Sequence, residues 1–226
     1  MIYTRVLILK FENPIHQKEI TLFRGAVIQA ISKEANVLFH NHQEDNYRYS
    51  YPLIQYKRIN GCAAIVCINE GTEAIGQFFS ECNFSFQLAS RSLEMKVNSV
   101  KANQCLVQLW ESPFHYRIRK WLPLNSDNYK EYIQMDGLSE KIALLEKILI
   151  GNLLSFTKGI GIYLDSEIKC KLTVLNDPVL VMNKGVKLMA FDIEFQCNIS
   201  LPEFIGIGKN ASLGYGIVTQ VKPNKQ

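Results

Sequence analysis

Two histidines, His40 and His42, stand two residues apart in the stretch VLFHNHQEDNYRYSY, with Tyr47, Tyr49 and Tyr51 close behind. Imidazole titrates near neutral pH, so one ring can accept a proton while another donates one. In an extended segment, residues i and i+2 face the same side. That spacing sets the two rings side by side and lets them divide base and acid roles. Each tyrosine could orient an imidazole, bind a phosphate or stack on a base; Tyr47 precedes the strand-like run and is therefore expected nearest the histidines. His16, in ENPIHQKE, reads as part of a surface connection. His115 alternates with Arg117, Arg119 and Trp121, which predicts a basic and aromatic stripe on one strand face.

A second cluster lies near the end of the chain. IGIGKNASLGYGIV holds Gly206, Gly208, Gly214 and Gly216 in two pairs around Lys209. Glycine costs conformational entropy, so such a cluster implies unusual backbone geometry or close approach to a ligand. Gly206-Ile-Gly208-Lys-Asn-Ala211 matches the dinucleotide fingerprint formally. That fingerprint must follow a strand, open a helix and precede an acidic residue by about 20 positions, and no acid follows here. A P-loop is excluded as well, because Glu203 stands where its first glycine belongs. The acids nearest the histidines, Glu44 and Asp45, are too few for a two-metal nuclease site. The chain is therefore expected to use no metal and no cofactor. Lys57 and Arg58, beside the Asn60-Gly61 turn, could reach a phosphate.

These residues need elements to hold them. IYTRVLILKF reads as a strand, and ITLFRGAVIQAISKEA puts Ile20, Phe23, Val27 and Ile31 on one helical face. YSYPLIQYKRI and CAAIVCIN flank Asn60-Gly61, a strong hairpin signal. GTEAIGQFFSEC reads as a helix with Thr72 as its N-cap, and SLEMKVNSV and QCLVQLW as strands. This β-α-β-β-α-β order is the ferredoxin-like pattern. The second half repeats it: a strand in FHYRIRKWLPL, a helix over LSEKIALLEKILIGNLLSFTKG stopped at Gly159, then strands in EIKCKLTVL and VKLMAFDIEFQCNI. The second helix of this repeat is missing or very short. The glycine segment takes its place before a last strand in GYGIVTQV. The fold class is thus α+β: two tandem ferredoxin-like (RRM-like) βαββαβ domains with a C-terminal glycine-rich loop, over residues 1–112 and 113–226.

Composition sets the outer limits. The 226 residues are 47% hydrophobic and 20% charged, with net charge +4, which suits a globular protein and permits an acidic partner such as RNA. The longest early aliphatic run, Val6 to Leu9, is too short for a membrane span or a signal segment, so no membrane partner and a cytoplasmic location are expected. Six cysteines show no Cys-x-x-Cys pair and read as buried free thiols in a reducing compartment.

The paired Gly-hydrophobic-Gly motifs five residues apart, just before the last strand of tandem ferredoxin-like domains, resemble the glycine-rich loop of the RAMP superfamily. More closely, the chain resembles the CRISPR repeat-processing endoribonucleases of that superfamily. The resemblance implies metal-independent cleavage of the precursor transcript within its repeat. The ribose 2′-hydroxyl attacks, leaving a 2′,3′-cyclic phosphate and a 5′-hydroxyl. It implies a catalytic histidine at or beyond the end of the first helix, where His40 and His42 stand, with Tyr47 beside them. It also implies that the repeat binds on a basic surface, and the residues expected to contact it are Lys57, Arg58, His115, Arg117, Arg119, Gly206, Gly208, Lys209, Gly214 and Gly216. The partners it implies are the repeat RNA and other CRISPR effector subunits, with the chain as monomer or homodimer. A second reading makes the chain a non-catalytic RAMP-type subunit that binds guide RNA in an interference complex.

Overall fold

The computed structural model describes residues 3–31, Phe39, 51–183 and 185–222. His40, His42 and Tyr47 lie outside them. The chain divides into two compact units: Met1–Leu106 with Ser212–Gly214, and Val107–Ala211 with Tyr215–Gln226. The expected boundary at 112/113 falls inside a continuous strand, Leu109–Trp121.

The first unit contains β1 (Tyr3–Pro14), α1 (Ile20–Gln29), β2 (Ile54–Ile59), β3 (Cys62–Ile68), α2 (Glu70–Glu81), a small β4–β5 hairpin (Ser85–Leu88 and Arg91–Glu94) and β6 (Val97–Leu106). Its main sheet has the order β2-β3-β1-β6, antiparallel throughout. Asn60 and Gly61 join β2 to β3 with φ of +51° and +88°, the two left-handed residues that a two-residue hairpin turn demands. Phe23 of α1 meets Phe11 of β1 and Tyr56 of β2 edge-to-face, at centroid distances of 5.8 and 5.9 Å. Such contacts anchor the helix over the sheet through both area and ring geometry.

Three local expectations for this unit change. SLEMKVNSV is not one strand: it spans the end of β5 and the start of β6. Thr72 is not the N-cap of α2; Asn69 is, at φ +47°, and the Thr72 hydroxyl donates to the Asn69 carbonyl at 2.7 Å. Gly71 explains the early start: a Cβ there would lie 2.6 Å from the Leu53 carbonyl oxygen, so the first turn packs directly on backbone. QCLVQLW is not one strand either. Its first three residues end β6, and its last two begin β7.

The second unit contains β7 (Leu109–Trp121), α3 (Ser126–Gln134), α4 (Leu138–Gly159), β8 (Cys170–Leu175), β9 (Val179–Asn183), β10 (Val186–Ile199) and β11 (Ile217–Gln220). The sheet order β11-β7-β10-β8, with β9 paired to β10, repeats the strand arrangement of the first unit. Among the described residues no second helix stands before the last strand: turns, bends and two bridge residues, Gly206 and Leu213, lie in 201–216. Helix α4 buries Leu145, Leu149, Leu153 and Phe156, the i, i+4 stripe that lies along one face. Its left-handed cap residue is Gly161, at φ +77°, two residues past Gly159. Sequence patterning missed α3 and β9. The Asn125 side chain caps α3 by accepting from the amides of Asp127 and Asn128, a start signal readable in NSD. Tyr132 of α3 meets Phe191 of β10 edge-to-face at 5.6 Å.

All six cysteines are free, with Cys62 and Cys105 half-buried and the rest buried. Burial pushes the Cys197 thiol up to about 11, which makes it a packing group rather than a nucleophile. Among the described residues, no helix is long and apolar enough to cross a membrane.

Candidate nucleic-acid interface

The sheet of the second unit buries one face and opens the other. Tyr116, Ile118, Ile193, Phe195 and Cys197 point into the core. The intervening residues, His115, Arg117 and Arg119 of β7 and Glu194 and Gln196 of β10, form the outer face, because successive strand residues alternate. Register places Arg117 opposite Glu194 and His115 opposite Gln196. Lys171 and Thr173 of β8 extend the same face, with Lys171 opposite Gln196.

Trp121, expected on this stripe, faces the core at 0% exposure. Lys120 is the cause. It sits at φ +52°, and the β7–β10 register shifts between Ile118 and Trp121. This is a β-bulge, and one extra residue flips everything beyond it to the other face. The Lys120 amide donates to the Asp192 carboxylate at 2.7 Å, which holds the bulge.

The outer face is more than a basic stripe. Arg117 Nε donates to Glu194 Oε1 at 2.9 Å, and its terminal nitrogen donates to the same oxygen. His115 Nε2 lies 3.0 Å from Thr173 Oγ1 and 3.6 Å from Glu194 Oε2. Arg119 is exposed and makes no ion pair among the described residues. The face therefore combines a cation on open surface with a cluster of matched donors and acceptors. Glu194, Gln196, Lys171 and Thr173 were not among the candidates. The strict alternation of VKLMAFDIEFQCNI was the signal that pairs Glu194 and Gln196 on one side.

The glycine segment packs tightly. Gly206 bridges Ile217, the Ile207 amide donates to the Gly216 carbonyl, and the Gly216 amide donates to Lys120 O. Gly208, Gly214 and Gly216 have φ of +87°, +76° and +63°. A Cβ on Gly208 would stand 2.8 Å from Trp121 Nε1, and one on Gly216 would stand 1.8 Å from Ile207 O. Trp121 Nε1 itself donates to Asn152 Oδ1 at 3.0 Å, so Gly208 lies against a fixed group. At Gly208 and Gly216, neighbouring protein atoms leave no room for a Cβ. Lys209 is exposed, and its amide reaches Leu122 O at 3.3 Å.

In the first unit, Ser212–Gly214 lie along the edge of β2. The Tyr56 amide donates to Ser212 O at 2.8 Å, Tyr56 bridges Leu213 in parallel, and Gln17 Nε2 donates to Gly214 O at 3.3 Å. A Cβ on Gly214 would stand 2.4 Å from Ile20 Cδ1. Arg58 is exposed, but its Nε donates to the Ile15 carbonyl at 2.6 Å. Lys57 is fully buried, away from the surface where a phosphate contact would need it. Desolvation lowers its ammonium pKa to about 7. Phe39, the residue before His40 in sequence, is buried against Phe78 at a ring separation of 6.4 Å, and its carbonyl accepts from the Tyr56 hydroxyl at 3.5 Å.

Comparison with known proteins bears on the whole chain. A family model for the Cas6b N-terminal domain matches residues 1–105, and one for the Cas6b C-terminal domain matches 108–221. An uncharacterized protein of Methanocaldococcus jannaschii is 40% identical over 105 residues, which are 46% of this chain and 70% of that protein. A crystal structure of Cas6b superposes with a TM-score of 0.89 at 24% identity over 97% of this chain and 100% of the other. That of a CRISPR RNA processing endoribonuclease Cas6b gives 0.74 at 23% identity, covering 97% and 100%. A type IV Cas6 crRNA endonuclease gives 0.59 at 11% identity, covering 98% and 100%. At these identities the solved structures establish a shared fold.

Proposed function

Because the chain belongs to the Cas6b family, we propose that it is an RNA endonuclease that cuts CRISPR precursor RNA within the repeat. The single observation that carries this reading is the pair of Cas6b family models, which together take in almost every residue from 1 to 221. The histidine pair supplies the chemistry. One imidazole of His40 and His42 takes the proton from the ribose 2′-hydroxyl. The oxygen attacks the adjacent phosphorus, and the P–O5′ bond breaks as the second imidazole returns a proton to the leaving 5′-oxygen. The products are a 2′,3′-cyclic phosphate and a 5′-hydroxyl, and no metal or cofactor takes part. Tyr47 orients an imidazole or holds the phosphate. Among the candidate RNA contacts, Arg58, Arg119 and Lys209 are exposed cations available to the RNA backbone.

The test is incubation of the chain with its repeat RNA in EDTA, alongside a repeat carrying a 2′-deoxy residue at the scissile nucleotide. Cleavage is expected to survive chelation, and the deoxy repeat to bind uncut. Cutting of the deoxy repeat would show that water, not the ribose, is the nucleophile. Binding without cutting of either RNA would favour the guide-RNA-binding subunit.

A further inference from the structure

A track for phosphates should carry positive charge and hydrogen-bond donors. The outer face of the second unit's sheet departs from this at its centre, where Glu194 places a carboxylate among His115, Arg117 and Thr173. Arg117 spends two N–H groups on Glu194 Oε1, so its charge is largely neutralised before any RNA arrives. A phosphate approaching this point would meet a carboxylate and a guanidinium already paired with it. The cluster is nonetheless open: the side chains of Arg117, His115 and Glu194 are 41%, 35% and 18% exposed.

What such a cluster can recognise follows from its free valences. Arg117 fixes Glu194 through Oε1. Oε2 has no hydrogen-bond partner among the described residues and lies 3.6 Å from His115 Nε2. A carboxylate has about four acceptor sites; the Arg117 pair takes the two on Oε1 and leaves the two on Oε2. Guanidinium and imidazole planes beside it are surfaces on which an unpaired base can stack. Among the four RNA bases, only guanine presents two adjacent N–H donors, N1–H and the N2 amino group, on its Watson–Crick edge. Adenine and cytosine each offer one donor next to an acceptor, and uracil one donor between two acceptors.

We propose that this face, centred on Glu194, is a base-binding subsite that selects an unpaired guanine of the RNA. The proposal rests on the reading of the chain as an RNA-binding enzyme. Glu194 accepts from the guanine edge, Arg117 holds the carboxylate in place, and His115, steadied by Thr173, borders the base. Arg119, along the same strand, remains free for the adjoining phosphate.

The experiment is equilibrium binding of the full chain to short uridine-rich oligoribonucleotides carrying one central G, A, C or inosine, with the repeat RNA as reference. The wild-type chain should bind the guanosine oligomer at least about fivefold more tightly than the adenosine or cytidine oligomer. Inosine lacks the N2 amino group and should lose most of that preference. Glu194→Gln should abolish the preference while leaving the dependence of affinity on salt unchanged. Equal binding of all four oligomers by the wild type, when the repeat RNA binds normally, overturns the subsite and leaves the function intact. A Glu194→Gln chain that binds every RNA more tightly, with a salt slope steeper by roughly 0.7, also overturns it, because Arg117 would then have been released onto a phosphate. Failure of the repeat RNA itself to bind overturns subsite and function together. The inosine comparison uses unaltered protein, so the result does not depend on the variant folding.

Discussion

Single side chains carry two separate burdens here, one chemical and one structural. In the proposed mechanism, His40 belongs to the chemistry. His40→Ala is expected to slow single-turnover cleavage of the repeat RNA by at least about 10², with affinity held within a few-fold, which is the scale for an acid–base residue. His42→Ala should match it if the two rings share the roles, and lose less if His42 only orients its neighbour. Equal rates for both variants and the wild type would move suspicion to His115 or a tyrosine. Lys57 belongs to the structure. Desolvation lowers its pKa from 10.5 to about 7, so between those values the folded chain carries a neutral amine and the unfolded chain an ammonium. The unfolded state then binds more protons, and stability rises with pH across that window, by up to roughly 1.4 kcal/mol per pH unit. Urea unfolding of the wild type at pH 7 and pH 9 should show the rise, and Lys57→Met should flatten it. A wild-type curve no steeper than that of the variant would mean that Lys57 stays charged when buried.

Glycines separate the elements into two kinds. Gly25 lies in α1 and Gly151 in α4, and a Cβ on either meets no atom within 4 Å. Alanine at such helix-interior sites is worth about 0.5–1 kcal/mol over glycine, so Gly151→Ala should raise the melting temperature. The glycines before β11 behave in the opposite sense. Gly216 combines φ of +63° with a Cβ position 1.8 Å from the Ile207 carbonyl oxygen, and relief requires moving backbone. Gly216→Ala should cost more than about 2 kcal/mol, and Gly208→Ala should also destabilise by pushing on Trp121. Thermal unfolding of the three variants checks the contrast. If Gly216→Ala melts with the wild type and loses RNA affinity alone, the segment serves the ligand rather than the packing around it.

Across the whole molecule, a net charge of +4 is modest for an RNA-binding protein, so a few placed cations must do much of the electrostatic work. Lys209 is the charged group inside the glycine segment, and it is exposed. Lys209→Ala should therefore reduce the slope of log affinity against log salt by roughly 0.7, the share of one phosphate contact on single-stranded RNA. Fluorescence titrations of the repeat RNA between about 50 and 200 mM salt measure it. An unchanged slope would mean that Lys209 faces water in the complex as well.

Apart from α3, β9 and the β4–β5 hairpin, the sequence alone determined the alternation of strands and helices in both units, because hydrophobic period and turn chemistry are local properties. Asn60-Gly61 announced its hairpin, the stripe in LSEKIALLEKILIGNLLSFTKG announced α4, and the absence of a second helical period before the last strand announced the glycine segment. The family resemblance was legible from the same features. Other facts depend on which atoms meet across long separations in sequence. Lys57 reads as a surface cation beside a turn, yet its position on β2 buries it. Trp121 continues the outer stripe by alternation, yet one bulge residue held by Asp192 turns it to the core. Arg117 reads as a lone cation on a strand face, and only strand register sets Glu194 opposite it. The glycines suggested room for a ligand, and only the packing of Trp121, Ile207 and Ile20 reveals that protein atoms fill that room. Local pattern decides what an element is; register and burial, which arise only when elements pair, decide what each side chain can touch.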